Sequence, residues 1–180
     1  MERTRHVLLA GAGAERFAAA QGHPQLPPSP PSPASAQESS RGTVGAVALD
    51  VWGHLAAATS TGGLSGKLPG RVGDSPVIGA GTWADGRVAI SGTGEGECFM
   101  RSVFAHQVAM SIAAGHLPEV AAEMALAEVE ALGGDGGCIV VGRDGRYTLS
   151  FITEVMPRAF ASPAGRWTAI GRIPADQGEP

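Results

Sequence analysis

Apolar positions along the chain switch between strand-like and helical spacing, and the switches divide it into zones. Val7, Leu8, Leu9 and Ala10 form a short apolar run, Gly11-Ala12-Gly13 reads as a turn, and Ala14–Ala20 reads as a brief helix. From Thr43 the pattern changes. Small and branched apolar residues alternate over Val44–Asp50 and again over Leu55–Thr59, with Trp52-Gly53-His54 between them. This predicts a strand hairpin. Arg87–Ser91 and Cys138–Val141 are further strand candidates, and Tyr147–Ile152 is expected to pair with the latter across residues 143–146. Two helical patterns lie between them. Phe99–Ala114 places Met100, Val103, Phe104, Val108 and Ile112 on one face and stops at Gly115. Leu117–Leu132 places Leu117, Val120, Ala121 and Met124 on one face and stops at Gly133-Gly134. Strands, two helices and strands again predict an α+β fold, sheets with helices packed outside. No internal repeat is evident.

Composition changes the picture at one place. After Leu26 the chain runs through Pro-Ser repeats from Pro27 to Pro33, then Ser, Ala and Gln towards Arg41. Such a stretch cannot bury apolar area, so residues 22–42 are expected to be a disordered linker. A polyproline docking peptide for an SH3-like domain is the alternative. Elsewhere, 180 residues with 43% hydrophobic content suffice for one globular domain. A net charge of -4 excludes phosphate-backbone binding, so no nucleic-acid partner is expected. The chain has no apolar run of about 18 residues, and no transmembrane helix or membrane partner is expected. No convincing apolar core or cleavage site follows the basic start of Met1–Ala20, which argues against a secretory signal. Cys98 and Cys138 are too few for a disulfide framework or a zinc site, and read as buried free thiols of a cytoplasmic protein.

Four stretches can carry chemistry. Thr43 follows Gly42 and opens a strand. A threonine hydroxyl is a weak nucleophile until a base takes its proton, and a free α-amine on the same residue, with a pKa of about 7.7–8.0, can be that base. Thr43 acquires one only if the Gly42–Thr43 bond is cut; by pattern alone the pair also reads as a plain strand start. Thr59-Ser60-Thr61-Gly62-Gly63 places hydroxyls at a strand end, either facing a pocket close to Thr43 or capping a turn. In residues 67–76, Arg71 and Asp74 stand three apart around Gly73. Arg grips a carboxylate with two parallel hydrogen bonds and Asp takes an ammonium, so the loop complements the zwitterionic end of an α-amino acid. An internal Arg71–Asp74 salt bridge is the other reading. Residues 92–97, Gly-Thr-Gly-Glu-Gly-Glu, precede the first helix. The Thr93 hydroxyl and backbone N–H groups there suit an oxyanion, whereas Glu95 and Glu97 disfavour phosphate.

Together the stretches GTVGAVALD (42–50), LAAATSTGG (55–63), KLPGRVGDSPVIGAG (67–81) and GTGEGE (92–97) resemble the β-subunit of the plant-type asparaginase and isoaspartyl-peptidase family of N-terminal-nucleophile (Ntn) hydrolases. The resemblance covers Thr43 to about Arg172, and residues 2–22 look like the tail of the α-subunit. It implies residues 1–21 as an α-subunit remnant, 22–42 as linker, 43–172 as the catalytic region and 173–180 as a flexible tail. It also implies an αββα sandwich and a dimer of αβ pairs. Thr43 would be the nucleophile freed at the Gly42–Thr43 cleavage site. Thr61 and Thr93 would support its hydroxyl, Thr93 with the Gly94 amide would form the oxyanion hole, and Arg71 and Asp74 would hold the substrate α-carboxylate and α-amine. Implied substrates are L-asparagine and β-aspartyl dipeptides, with no cofactor and no metal.

The sequence departs from the family pattern in places. No stretch matches the α-subunit front with its His-Gly-Gly strand and sodium site, so an incomplete sandwich is expected. Two outcomes follow: an active amidohydrolase, or a non-maturing homologue or reading frame whose start lies upstream. Ile152 and Val155 stand where relatives usually carry Asn and Gly, and Ala12 where an acidic residue is usual.

Overall fold

The computed structural model describes residues 3–24, 42–64 and 66–172. Most of the linker expected at 22–42, and all of the tail expected at 173–180, lie outside the described residues. The chain divides into two units, 1–37 and 38–180. In the first, helix α1 spans Gly11–Ala20 and buries no residue. The Gly-Ala-Gly segment expected as a turn is its first turn.

The second unit opens with the expected hairpin. β1 (Thr43–Leu49) pairs antiparallel with β2 (Leu55–Thr61) through seven registered pairs, from Thr43↔Thr61 to Leu49↔Leu55. Asp50 shapes the connecting turn: its Oδ1 accepts the N–H groups of Trp52 and His54 at 2.9 and 2.8 Å. Side-chain capping of this kind is what Asp supplies in a tight turn.

Four strands form the second sheet, in the order β3 (Thr82–Ala84), β4 (Val88–Gly94), β5 (Gly136–Gly142) and β6 (Tyr147–Thr148), all antiparallel neighbours. β6 is two residues long, shorter than the pattern at Tyr147–Ile152 predicts; beyond it Phe151 makes a single bridge to Gly137. Helices α2 (Gly96–Arg101), α3 (Phe104–Ala113) and α4 (Pro118–Ala131) supply the core partner of β4 and β5. Phe99, Phe104, Val108, Leu126 and Val129 pack there with Ile90 and Val140. The hairpin packs on β4 and β5 as well. With one layer on each side, β4 is buried continuously from Val88 to Gly92, so its sequence lacks polar alternation. Among the described residues the unit thus stacks helices, sheet and hairpin, consistent with the expected α+β fold. Downstream, β7 (Arg158–Ser162) and β8 (Gly165–Ala169) form a hairpin that the sequence pattern did not predict. Phe160 of β7 stacks on Tyr147, with ring centroids 4.1 Å apart.

Two helical expectations need correction. The single helix predicted at Phe99–Ala114 is two, broken at Ser102-Val103, where Val103 takes a left-handed φ of 50°. Val103 therefore leaves the predicted apolar face and is 48% exposed. In α4 the predicted face is also displaced. Leu117, Val120 and Met124 are exposed, while Ala121, Ala122, Ala125, Leu126 and Val129 are buried. Small alanines let α3 and α4 approach closely, a packing requirement that hydrophobicity alone does not register.

Candidate active site at the open end of the first hairpin

Thr43 and Thr61 are register partners at the open end of β1 and β2. Thr43 Oγ1 donates to Thr61 Oγ1 at 3.3 Å, and the Gly63 N–H donates to the same oxygen at 3.0 Å. Thr61 thus accepts from two donors and keeps its own proton available. Lys67 Nζ closes the following loop by donating to the Gly62 carbonyl. Thr43 is half-buried and Gly42 exposed, which leaves the junction between them reachable by water.

The direction of the hairpin on the sheet decides what lies near this end. The turn residue Gly53 sits against Arg143, a Cβ built on it lying 3.5 Å from the Arg143 Nη2. Arg143 follows Gly142, the partner of Val88 at the start of β4. The turn therefore overlies the first residue of β4, and Thr43 and Thr61 lie towards its last residues, Thr93 and Gly94. Between these ends, Thr59 Oγ1 meets Ser91 Oγ at 2.7 Å and donates to the Gly81 carbonyl at 3.1 Å.

At the end of β4, Thr93 pairs with Gly137 and Gly94 with Gly136. The Thr93 hydroxyl makes no hydrogen bond among the described residues. Gly94 has φ 145°, and a side chain there would overlap the Asp135 carbonyl. Only glycine fits that turn out of the strand.

Arg71 and Asp74 stand beside it. A Cβ on Gly96 would lie 2.8 Å from both Arg71 Nη2 and Asp74 Oδ1, so both groups border the start of α2. The internal salt bridge weighed as an alternative for Arg71 and Asp74 is not formed. Arg71 instead makes a two-pronged pair with Glu97, Nε to Oε1 at 2.8 Å and Nη2 to Oε2 at 2.7 Å. Its Nη1 side is not used by this pair. The hydrogen bond from Arg71 lowers the Glu97 pKa. Asp74 is buried, and Oδ2 has no hydrogen-bond partner among the described residues. Burial pushes its pKa up, against the opposing pull of its own loop N–H groups and Arg71. A buried carboxylate with one oxygen left unpartnered suits an incoming cation. Among the described residues no group of three or more His, Cys, Asp or Glu is arranged to hold a metal ion.

Thr43, Thr61, Arg71, Asp74, Thr93 and Gly94, the residues the sequence points to, all lie towards one end of the hairpin and sheet. Sequence pattern marks Glu97 only as a repellent of phosphate and gives Thr59 and Ser91 no individual role. An acid in the first turn of a helix that follows a strand is a signal for Glu97. The contact of Thr59 with Ser91 spans 32 residues and has no sequence signal.

A hairpin layered over a helix-backed antiparallel sheet is consistent with the α+β fold of the Ntn-hydrolase class, to which the asparaginase family belongs. The chain belongs to the asparaginase family: the family model described as "Asparaginase" matches residues 28–170. It is 42% identical over 186 residues to the isoaspartyl peptidase of Escherichia coli (strain K12), covering 89% of this chain and 58% of that protein. It is 41% identical over 174 residues to an isoaspartyl peptidase/L-asparaginase of Xenopus laevis, covering 87% of this chain and 56% of that protein. The corresponding mouse protein is 40% identical over 178 residues. The chain therefore spans under three fifths of the length of these relatives. No helix among the described residues is long and apolar enough to cross a membrane.

Proposed function

We propose that this protein is an amidohydrolase that cleaves L-asparagine and β-aspartyl dipeptides with an N-terminal Thr43 exposed by self-cleavage. The observation that carries the reading is the Thr43–Thr61 hydroxyl pair beside the exposed Gly42. Before cleavage the Thr43 nitrogen is an amide and cannot act as a base. Its hydroxyl attacks the Gly42 carbonyl, the acyl group passes from nitrogen to oxygen, and water hydrolyses the ester. The products are a Gly42 carboxylate and a free Thr43 α-amine.

That amine then serves as the base. It takes the proton of Thr43 Oγ1 as the oxygen attacks the side-chain carbonyl carbon of the substrate. Thr93 Oγ1 and the Gly94 N–H receive the oxyanion. The leaving amine accepts the proton, and a β-aspartyl ester remains on Thr43. Water, deprotonated by the same amine, releases aspartate. Arg71 offers its Nη1 side to the substrate α-carboxylate, and Asp74 binds the α-ammonium. Every step uses side chains, backbone and water.

In this reading residues 43–172 are the catalytic region, 1–21 are the tail of an α-subunit, and the working assembly is a dimer of αβ pairs in the cytoplasm. Two buried free thiols, Cys98 and Cys138, support a reducing compartment. Intact-mass analysis after incubation at neutral pH tests it. Two pieces of roughly 4 and 14 kDa, the larger starting at Thr43, are expected, with aspartate released from β-aspartyl dipeptides. A chain that stays whole and releases no aspartate overturns it.

A further inference from the structure

Three strands meet at one polar contact beneath the site. Gly45 on β1 is the register partner of Thr59 on β2, and a Cβ on Gly45 would overlap Ser91 Oγ of β4. The absence of a side chain at 45 is what lets the hairpin descend onto Ser91. Thr59 Oγ1 completes the contact, bonded to Ser91 Oγ at 2.7 Å and to the Gly81 carbonyl at 3.1 Å. Gly81 is itself tied to β4, its carbonyl accepting the Gly92 N–H at 2.9 Å.

Each of the three threonines assigned to the chemistry lies two residues from this contact on its own strand: Thr43 from Gly45, Thr61 from Thr59 and Thr93 from Ser91. Residues two apart on a strand share a face and are spaced by about 6.7 Å. The hairpin direction fixed by Gly53 and Arg143 sends all three steps towards the same end. The height and register of the contact are therefore passed on to all three threonines.

We propose that Thr59 and Ser91 are positioning residues: their shared hydrogen bond, anchored on Gly81, sets how the Thr43–Thr61 pair sits over Thr93. The inference rests on the amidohydrolase reading for its kinetic consequences, though not for its structural one. Neither hydroxyl touches the reacting atoms. Their loss leaves substrate binding through Arg71 and Asp74 intact and misplaces the nucleophile.

The test compares Thr59→Val, Thr59→Ser, Ser91→Ala and Thr59→Val/Ser91→Ala in the full chain. Thr59→Val and Ser91→Ala are expected to slow Gly42–Thr43 cleavage and lower kcat by about 10- to 100-fold, with KM within about twofold. Thr59→Ser should stay within about threefold of wild type, and the double variant should be no worse than the more affected single. Hydrogen exchange should quicken in residues 43–49 of Thr59→Val and stay unchanged in α4. Wild-type rates and unchanged exchange in Thr59→Val overturn the proposal, as does a loss of protection that reaches α4 equally. A wild type that neither cleaves nor releases aspartate defeats the amidohydrolase reading instead. Exchange at residues 43–49 then still decides the positioning role.

Discussion

Thr43 and Thr61 face each other across the last registered pair of the first hairpin, and the hydroxyl of one donates to the other at 3.3 Å. That separation is longer than the usual 2.7–2.8 Å of a hydroxyl pair, roughly half an ångström of slack. Thr61 is a partner that Thr43 can leave when its proton moves elsewhere. Thr43→Ala is expected to remain a single chain and to release no aspartate, measured by intact mass and by dipeptide turnover. Cleavage or turnover in that variant removes Thr43 from its assigned role. Thr61→Ala should lower kcat by about 10- to 100-fold with little change in KM.

Burial raises the Asp74 pKa, so the folded protein holds the Asp74 proton more tightly than the unfolded chain does. The stability supplied by that proton is fully present below the unfolded value and is lost as pH rises through the raised folded value. Ionised Asp74 therefore weighs against folding at neutral pH. Asp74→Asn should melt above wild type near pH 7, and the gap should close below about pH 4. The lowered pKa values of Asp85 and Glu97 act in the opposite direction and are shared by both proteins. The same variant should raise KM for substrates with a free α-ammonium. A melting difference that is constant with pH would show that charge is not its source.

Glu97 occupies the Nε edge of Arg71, and under the proposed function this leaves the Nη1 side for a substrate carboxylate. Glu97→Gln weakens one charge-assisted pair without emptying the position. KM should rise about tenfold, and kcat should change less than KM. Isothermal titration with aspartate offers an independent reading of the same loss. Unchanged affinity would mean that Arg71 holds its place without Glu97.

Cys138 is fully enclosed, and its thiol is pushed up to about 12 by desolvation. Cys98 is buried beside the Leu132 carbonyl. Neither should react with an aromatic disulfide reagent near pH 8 in the native protein, and both should react in denaturant. Rapid labelling of a native thiol would contradict the packing of β5 or α2.

Val103 is a β-branched residue at φ 50°, and its side chain is half exposed. A left-handed conformation costs such a residue about 1–2 kcal/mol, partly offset by the unfolded-state entropy that glycine adds. Val103→Gly should raise the melting temperature by about 2–4 °C, read by calorimetry. A lower melting temperature would show that the packing of the half-buried Val103 side chain outweighs the strain.

Local signals settled a good part of this protein. Alternation over Val44–Asp50 and Leu55–Thr59 predicts the first hairpin, because a strand with one face turned inward repeats every two residues. Gly115 and Gly133 mark helix ends because each takes the left-handed conformation that terminates a helix. The four short stretches with Thr43, Thr61, Arg71, Asp74, Thr93 and Gly94 carried the family resemblance in residue identity alone. What the sequence left open depends on contacts between distant segments. The exposure of Leu117, Val120 and Met124 came from the close packing of alanines. The break at Val103 and the hairpin of β7 and β8 have no periodic signature. The pairing of Arg71 with Glu97 instead of Asp74, and the descent of Gly45 and Thr59 onto Ser91, follow from how one layer is laid over another. Backbone periodicity is a property of neighbours in the chain and can be read from it. The direction of a hairpin across a sheet is fixed by side-chain volume and hydrogen bonding between layers, and exists only in the folded molecule.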